Sequence, residues 1–177
     1  MRPQIKIETK RLNLIPVSDK YKEEILREFT PQITKYMPYT PNGDEVEVQD
    51  FLDKAKLGLI NGTDFVFASI HKDSKVFLGC CGIHNITEDS IELGLWLKTD
   101  VHGQGFGTEI IEGLINFIEG NLKFNYLIYP VDEENIPSRK IPEKLGFSIF
   151  SAYKKAKDEN TFLHIIEYRK YYNITSL

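Results

Sequence analysis

The residues best placed to do chemistry lie in one run, Val101-His102-Gly103-Gln104-Gly105-Phe106-Gly107-Thr108, where three glycines alternate over five positions. Glycine lets a backbone approach an anion closely and accepts dihedrals that other residues avoid. An apolar run at 91–97 precedes the glycines, and Ile110, Ile111, Leu114, Ile115 and Ile118 follow at helical spacing. A strand that empties through glycines into a helix start exposes free N–H groups and the positive end of the helix dipole. That is a cradle for a phosphate. The plainer reading is a tight strand-to-helix turn that holds no ligand. The four histidines, at 71, 84, 102 and 164, form no zinc signature. Cys80 and Cys81 are neighbours, which suits neither a structural disulfide nor a metal site and fits a reducing cytoplasm. No metal is expected.

Bulk composition narrows the classes. At 177 residues, 41% hydrophobic and 27% charged, the sequence fits one domain, 1–177, with a sizeable core. A net charge of -4 and no basic run argue against a nucleic-acid partner and weakly favour a cationic acceptor such as an amine. No stretch nears the ~20 apolar residues that cross a bilayer. Residues 1–11 are polar and lack the apolar core of a signal peptide. A cytoplasmic protein with no membrane contact is expected.

The glycine run needs elements to hold it. Residues 4–15 read as a strand, broken near 8–10 and ended by Pro16. Ser18 is placed to cap a helix carrying Tyr21, Ile25, Leu26 and Phe29. An aromatic, proline-marked connection follows at 31–43, with a short helix expected at 33–36. Asp44 caps a second helix with the stripe Val48, Phe51, Leu52, Ala55 and Leu59, ended at Asn61-Gly62. Strands at 65–71, 76–86 and 91–98 form a meander. After the glycines come a helix ended at Gly120-Asn121 and a strand at 124–129 stopped by Pro130. A helix capped by Asn135 and ended by Gly146 follows, then strands at 147–153 and 162–168. Residues 171–177 are expected to be a flexible tail, with Tyr168, Tyr171 and Tyr172 as exposed candidates for a dimer contact. The order predicts an α+β fold with one mixed sheet and helices on both faces.

With the glycine turn and the later helix placed, the chain resembles the GNAT superfamily of acyl-CoA-dependent N-acyltransferases, and most of all its RimJ/RimL-type branch. Four stretches carry the resemblance across residues 8–168. Glu8-Thr9-Lys10-Arg11-Leu12-Asn13-Leu14 matches the branch's first strand, and Tyr36-Met37-Pro38 its loop before the second helix. Ile91-Glu92-Leu93-Gly94-Leu95-Trp96-Leu97 and the following His102-Gly103-Gln104-Gly105-Phe106-Gly107 match the central strand and diphosphate loop. Asn135-Ile136-Pro137-Ser138 and Glu143-Lys144-Leu145-Gly146-Phe147 match the motif beside the cofactor's thiol end. Two positions depart from the pattern. His102 stands where the family has Gln or Arg. Pro142 stands where many relatives carry the tyrosine that protonates the leaving thiolate, and it removes a helical hydrogen bond.

The resemblance implies a mixed, mostly antiparallel sheet of about seven strands with a splayed central strand. It implies acetyl-CoA as co-substrate. The loop from His102 and Gly103, through the amides of Gln104, Gly105, Phe106, Gly107 and Thr108, would hold the diphosphate. The backbone of Leu95, Trp96 and Leu97 would pair with the pantetheine arm, while the Trp96 side chain packs in the core. Asn135 would bond a pantetheine amide, cap its helix, or do both with different atoms. Glu92, placed three residues before the splay, would draw a proton from the amine through water. Its plainer reading is a solvated or salt-bridged strand glutamate. A backbone N–H near Leu95 and Trp96 would face the oxyanion. Ser138 would protonate the sulfur, with a water or another tyrosine as the alternative. His71 and His84 read as ordinary surface residues near strand ends.

The implied activity is acetyl transfer to a primary amine by direct attack on the thioester. Acceptors include a protein N-terminus, ribosomal ones among them, a polyamine, or a small-molecule amine. Residues 36–39 would line the acceptor end. A reading from another class is a non-catalytic acyl-CoA-binding sensor on the same fold, as a monomer or homodimer like the enzyme. A nucleotide-binding Rossmann unit fails because the glycines follow a meander and lack the G-x-G-x-x-G spacing.

Overall fold

The computed structural model describes residues 5–172. Its elements are β1 (Ile7–Glu8), β2 (Leu12–Pro16), α1 (Lys22–Glu28), α2 (Glu45–Asn61), β3 (Phe65–His71), β4 (Phe77–His84), β5 (Ser90–Leu97), α3 (Phe106–Asn121), β6 (Tyr126–Asp132), α4 (Ile136–Lys144), β7 (Ser148–Ala156) and β8 (Phe162–Tyr171). The strands form one sheet in the order β1-β2-β3-β4-β5-β6-β8-β7. Eight strands replace the expected seven because the break near residues 8–10 divides the first one. Only β5 and β6 run parallel, so the sheet is mixed and mostly antiparallel. Among the described residues no helix is long and apolar enough to cross a membrane.

Alternation along the strands splits the core into two layers. On one face Ile91 and Leu93 meet α3 through Ile110, Ile111, Leu114 and Ile118, all 0–1% exposed. On the other, Ala68, Ile70 and Cys80 meet Ile25 of α1 and Val48 and Leu52 of α2. Each such aliphatic side chain contributes about 1.5–3 kcal/mol when fully buried. The layers clamp the sheet from both sides and leave one defect at its centre. β5 pairs with β6 only through Ser90, Ile91 and Glu92 opposite Tyr126, Leu127 and Ile128. Beyond that row β5 stays with β4 up to Leu97, while β6 stays with β8 up to Asp132. The splay therefore opens at Leu93, directly after Glu92, rather than three residues after it.

Several local expectations change. β6 does not stop at Pro130 but runs through it to Asp132. Proline has no N–H, and beyond Ile128 β6 has no partner on its β5 side, so the strand passes Pro130 as an edge would. Ser18 stands at the N-cap of a 3-10 turn, Asp19–Tyr21, that precedes α1, and its side chain makes no cap bond. Residues 31–36 form turns, not a helix. A further 3-10 turn, Thr99–Val101, links β5 to the glycines. β8 continues to Tyr171, so the expected flexible tail is wrong at its start, and residues 173–177 lie outside the described residues. Tyr168 is buried under Glu143 and Arg139, and the Tyr172 hydroxyl donates to Glu119. Of the three tyrosines proposed for a dimer contact, only Tyr171 is well exposed.

Candidate active site

The glycine run sits where β5 leaves the sheet. Gly103 and Gly105 have φ of +76° and +80°, a region that L side chains avoid. Gly105 is the N-cap of α3, and no side chain there answers the N–H groups of Phe106, Gly107 and Thr108; the helix ladder begins with Glu109 N–H to the Gly105 carbonyl. A Cβ on Gly107 would lie 2.9 Å from Ile141, so this glycine lets α3 dock on α4. Three amides at the start of a 16-residue helix, facing no cap, suit a diphosphate.

Residues from the other end of the chain hold this loop in place. The Arg11 guanidinium lies 4.0 Å over the Phe106 ring, donates to the Gln104 carbonyl at 3.0 Å, and pairs with Glu109 at 2.6 Å. Glu109 also accepts from the Arg11 N–H and from the Thr9 hydroxyl, at 2.6 and 2.7 Å. Burial works to raise the Glu109 carboxyl; the bonds from Thr9 and Arg11 and the Arg11 charge outweigh it and hold the group below its ordinary value. The Glu8-Thr9-Lys10-Arg11-Leu12 motif was the signal for this support. Nothing in its local sequence, though, said it would reach a helix almost 100 residues away.

The loop side chains differ from expectation. The His102 Nε2–H donates to the Leu97 carbonyl at 2.7 Å, so this ring nitrogen ties the loop to the strand end instead of meeting a phosphate. That same bond takes up the Leu97 carbonyl, one of the groups assigned to the pantetheine arm. Gln104 turns its side-chain amide to the Asp100 carbonyl. Phe106 is buried in the core and offers only its backbone amide.

From the splay, one continuous cleft of about 710 Å³ runs to the α1/α2 face. Asn135, Ser138 and Tyr129 line one end; Tyr36, Tyr39 and Trp96 line the other. The Asn135 carbonyl oxygen caps α4 by accepting from the Ser138 N–H at 3.4 Å, which leaves its amide nitrogen for another partner. The Ser138 hydroxyl lies 2.7 Å from the Tyr129 hydroxyl. Burial pushes the Tyr129 phenol up to about 12, against the hydrogen bond to Ser138, so the phenol stays protonated. Tyr129 is a site residue that the sequence reading missed, because it looks like any aromatic on a core strand. Pro142 lies inside α4, and no tyrosine hydroxyl comes from its position.

Leu95 and Trp96 line the cleft along the open edge of β5. The Trp96 ring, half-buried, packs 5.0 Å from Phe29 and 5.9 Å from Phe77. Glu92 is also on the cleft wall, and its carboxylate accepts from the Asn85 side-chain amide at 3.2 Å. His71, expected on the surface near a strand end, is half-buried: its Nδ1 accepts from the Ser74 N–H and its ring packs edge-on 6.0 Å from Phe106. His84 does not fit the surface role: it is half-buried, lines the cleft, and is the cross-strand partner of Glu92. Lys157, on the β7–β8 turn, donates to the carbonyls of Thr34 and Lys35 and fastens the loop that brings Tyr36 and Tyr39 to the cleft.

A family model for the acetyltransferase (GNAT) domain matches residues 11–148. The chain belongs to the GNAT acetyltransferase family. A relative, the uncharacterized N-acetyltransferase p20 of Bacillus licheniformis, is 30% identical over 132 residues, covering 72% of this chain and 74% of that one. Among solved structures, this GNAT acetyltransferase is similar to RimL, the ribosomal L7/L12 alpha-N-protein acetyltransferase in complex with coenzyme A. The TM-score is 0.82 at 12% identity, over 94% of this chain and 98% of that one. It is also similar to the ribosomal-protein-S5-alanine acetyltransferase of Vibrio fischeri, with a TM-score of 0.80 at 16% identity over 98% and 100% of the two chains. At these identities the structures show the shared fold.

The residues present fit coenzyme A. The uncapped amides of α3 suit a diphosphate, and the open β5 edge and the Asn135 amide suit the peptide-like pantetheine arm.

Proposed function

We propose that this acetyltransferase is an acetyl-CoA-dependent N-acetyltransferase of the RimJ/RimL type. It would act on a primary amine in the cytoplasm as a single domain, with a protein N-terminus as the leading acceptor. The observation that carries this reading is the splay between β5 and β6, which opens a cleft along Leu95 and Trp96, just ahead of the glycine loop, toward α1 and α2. A cofactor can enter from the α3 side and an amine from the α1/α2 side, so that they meet at Leu93–Trp96 level without sharing a path. The wide, partly aromatic acceptor end, with Asp44 capping α2 and Glu47 and Asp50 along it, suits a cationic chain end. The ribosomal-protein acetyltransferases among the structural neighbours support the same class of acceptor.

Bound acetyl-CoA supplies the thioester carbonyl. In this proposal the chain does the rest. Gly105, Phe106, Gly107 and Thr108 bind the diphosphate through their amides, and the Leu95 and Trp96 backbone orients the arm as a substitute strand. An N–H of that open edge faces the negative charge that builds on the carbonyl oxygen. The Glu92 carboxylate draws the ammonium form of the amine into the cleft. Tyr129, protonated and buried, donates to the Ser138 oxygen and frees the Ser138 hydrogen to turn toward the sulfur. This arrangement fills the place left by Pro142.

An acceptor screen tests the proposal. Acetyl-CoA is supplied with peptides that begin in serine or alanine, with spermidine and with tyramine, and products are read by mass. Acetylated peptide N-termini are expected. Tight binding of acetyl-CoA with no product on any amine would favour the sensor instead.

A further inference from the structure

We infer that His84, held by Asp64, accepts the proton of the attacking amine. This rests on the acetyltransfer reading above and deepens it, because it moves the proton from Glu92, the base that the resemblance implied, to an imidazole.

The register of β4 and β5 sets the direction in which the ring lies. His84 and Glu92 face each other across β4 and β5, and one step toward the splay Gly82 faces Gly94. The His84 ring leans over that glycine pair. A Cβ on Gly82 would meet Nε2 at 2.2 Å, and a Cβ on Gly94 would meet it at 3.8 Å. Any side chain at Gly82 would expel the ring, so this glycine serves as a shelf. Gly94 immediately precedes Leu95 on the open edge, so Nε2 points along the sheet toward the place where the amine must attack. Glu92 also lines the cleft, but its carboxylate accepts from the side-chain amide of Asn85, the residue after β4, whereas His84 Nε2 lies over the glycine pair.

Asp64 fixes the chemistry of the ring. Its carboxylate lies 3.3 Å from His84 Nδ1 and also accepts from the Asn85 N–H at 3.2 Å. A carboxylate on Nδ1 requires N–H there, which leaves Nε2 as an acceptor in the neutral ring. Asp64 is itself set in place by α2. A Cβ on Gly58 would lie 2.8 Å from the Asp64 Cβ, so a glycine in the last turns of α2 allows the approach. The chain Gly58, Asp64, His84 and Gly82 thus holds one imidazole nitrogen in the cleft.

The step balances. Nε2 takes one proton from R–NH3+, and the freed lone pair of R–NH2 forms the N–C bond. The C–S bond breaks, and its electron pair goes to sulfur. The second proton that nitrogen loses offsets the one that sulfur gains through Ser138, and the proton on His84 leaves to solvent. Charged and titratable groups around the imidazole are Asp64 before β3, Glu92 on β5, Asp50 and Lys54 on α2, and Tyr153 and Lys155 on β7.

The test is the pH dependence of kcat for wild type, His84→Gln, Asp64→Asn and Gly82→Ala, with the best acceptor of the screen above. Affinity for acetyl-CoA, by calorimetry, checks that each variant is folded. The expected result is a kcat lowered about 100-fold in His84→Gln, with the acidic limb of the profile lost. Asp64→Asn is expected to lower kcat about tenfold and to displace that limb. Gly82→Ala, which leaves His84 in the chain but not on its shelf, is expected to resemble His84→Gln. A folded His84→Gln enzyme that keeps its rate and its acidic limb would overturn the assignment while the acetyltransfer reading stands. A wild type that turns over no amine would overturn both.

Discussion

Ser138 and Tyr129 share a 2.7 Å hydrogen bond at the splay, and their separate contributions can be read from two variants. Ser138→Ala is expected to lower kcat roughly tenfold to hundredfold at saturating acetyl-CoA, with little change in KM for it. Tyr129→Phe keeps the ring and removes one hydroxyl; a single hydrogen bond of about 1 kcal/mol corresponds to a loss of about fivefold in kcat. Steady-state kinetics on both variants checks the order, and an unchanged rate in Ser138→Ala would remove the serine from the proposal. Glu92→Gln is expected to raise KM for a cationic amine more than it lowers kcat. At this scale the sequence was a partial guide. Glu92, Asn135 and Ser138 were singled out because motifs flank them, and all three line the cleft. Tyr129 was not, since it reads as a core aromatic and only the fold brings its buried hydroxyl to 2.7 Å from Ser138. His84, read as a surface residue, is half-buried on the cleft wall, because its position near a strand end says nothing about the glycines beside it.

The loop depends on a contact between distant elements. β1 and β2 are separated by the turn that sends Thr9 and Arg11 to Glu109 in the first turn of α3. Glu109→Gln is expected to weaken acetyl-CoA binding by loosening the loop, with calorimetry as the measurement. The sign of the pH effect follows from the lowered Glu109 carboxyl. Its ordinary value is 4.5, and the folded value is lower. Its contribution is complete at neutral pH and is lost as pH falls through the folded value. The gap in Tm between wild type and Glu109→Gln should therefore close as pH is lowered below 4.5, and a gap independent of pH would contradict the role. Gly105→Ala places a Cβ at φ +80°, at a cost of about 1–2 kcal/mol, and should weaken acetyl-CoA binding. The glycine turn and the α3 stripe were plain in the sequence because both are local patterns. Pro130 misled, because a proline stops a strand only where its missing N–H would have had a partner.

At the scale of the whole molecule, the order of elements led to the mixed sheet with two helical layers, and the meander with its glycine exit told where the turn into α3 would fall. What the order does not state is which pairs of strands part company. The opening at Leu93 follows from β6 pairing with β8 while β5 stays with β4, a long-range choice with no local marker. The account rests on that opening being the place where cofactor and amine meet. Amide hydrogen exchange with and without acetyl-CoA tests it most directly. The account predicts new protection at Leu95, Trp96, Phe106, Gly107 and Thr108, with little change along β7. Protection that leaves the open edge of β5 and the start of α3 untouched would contradict it.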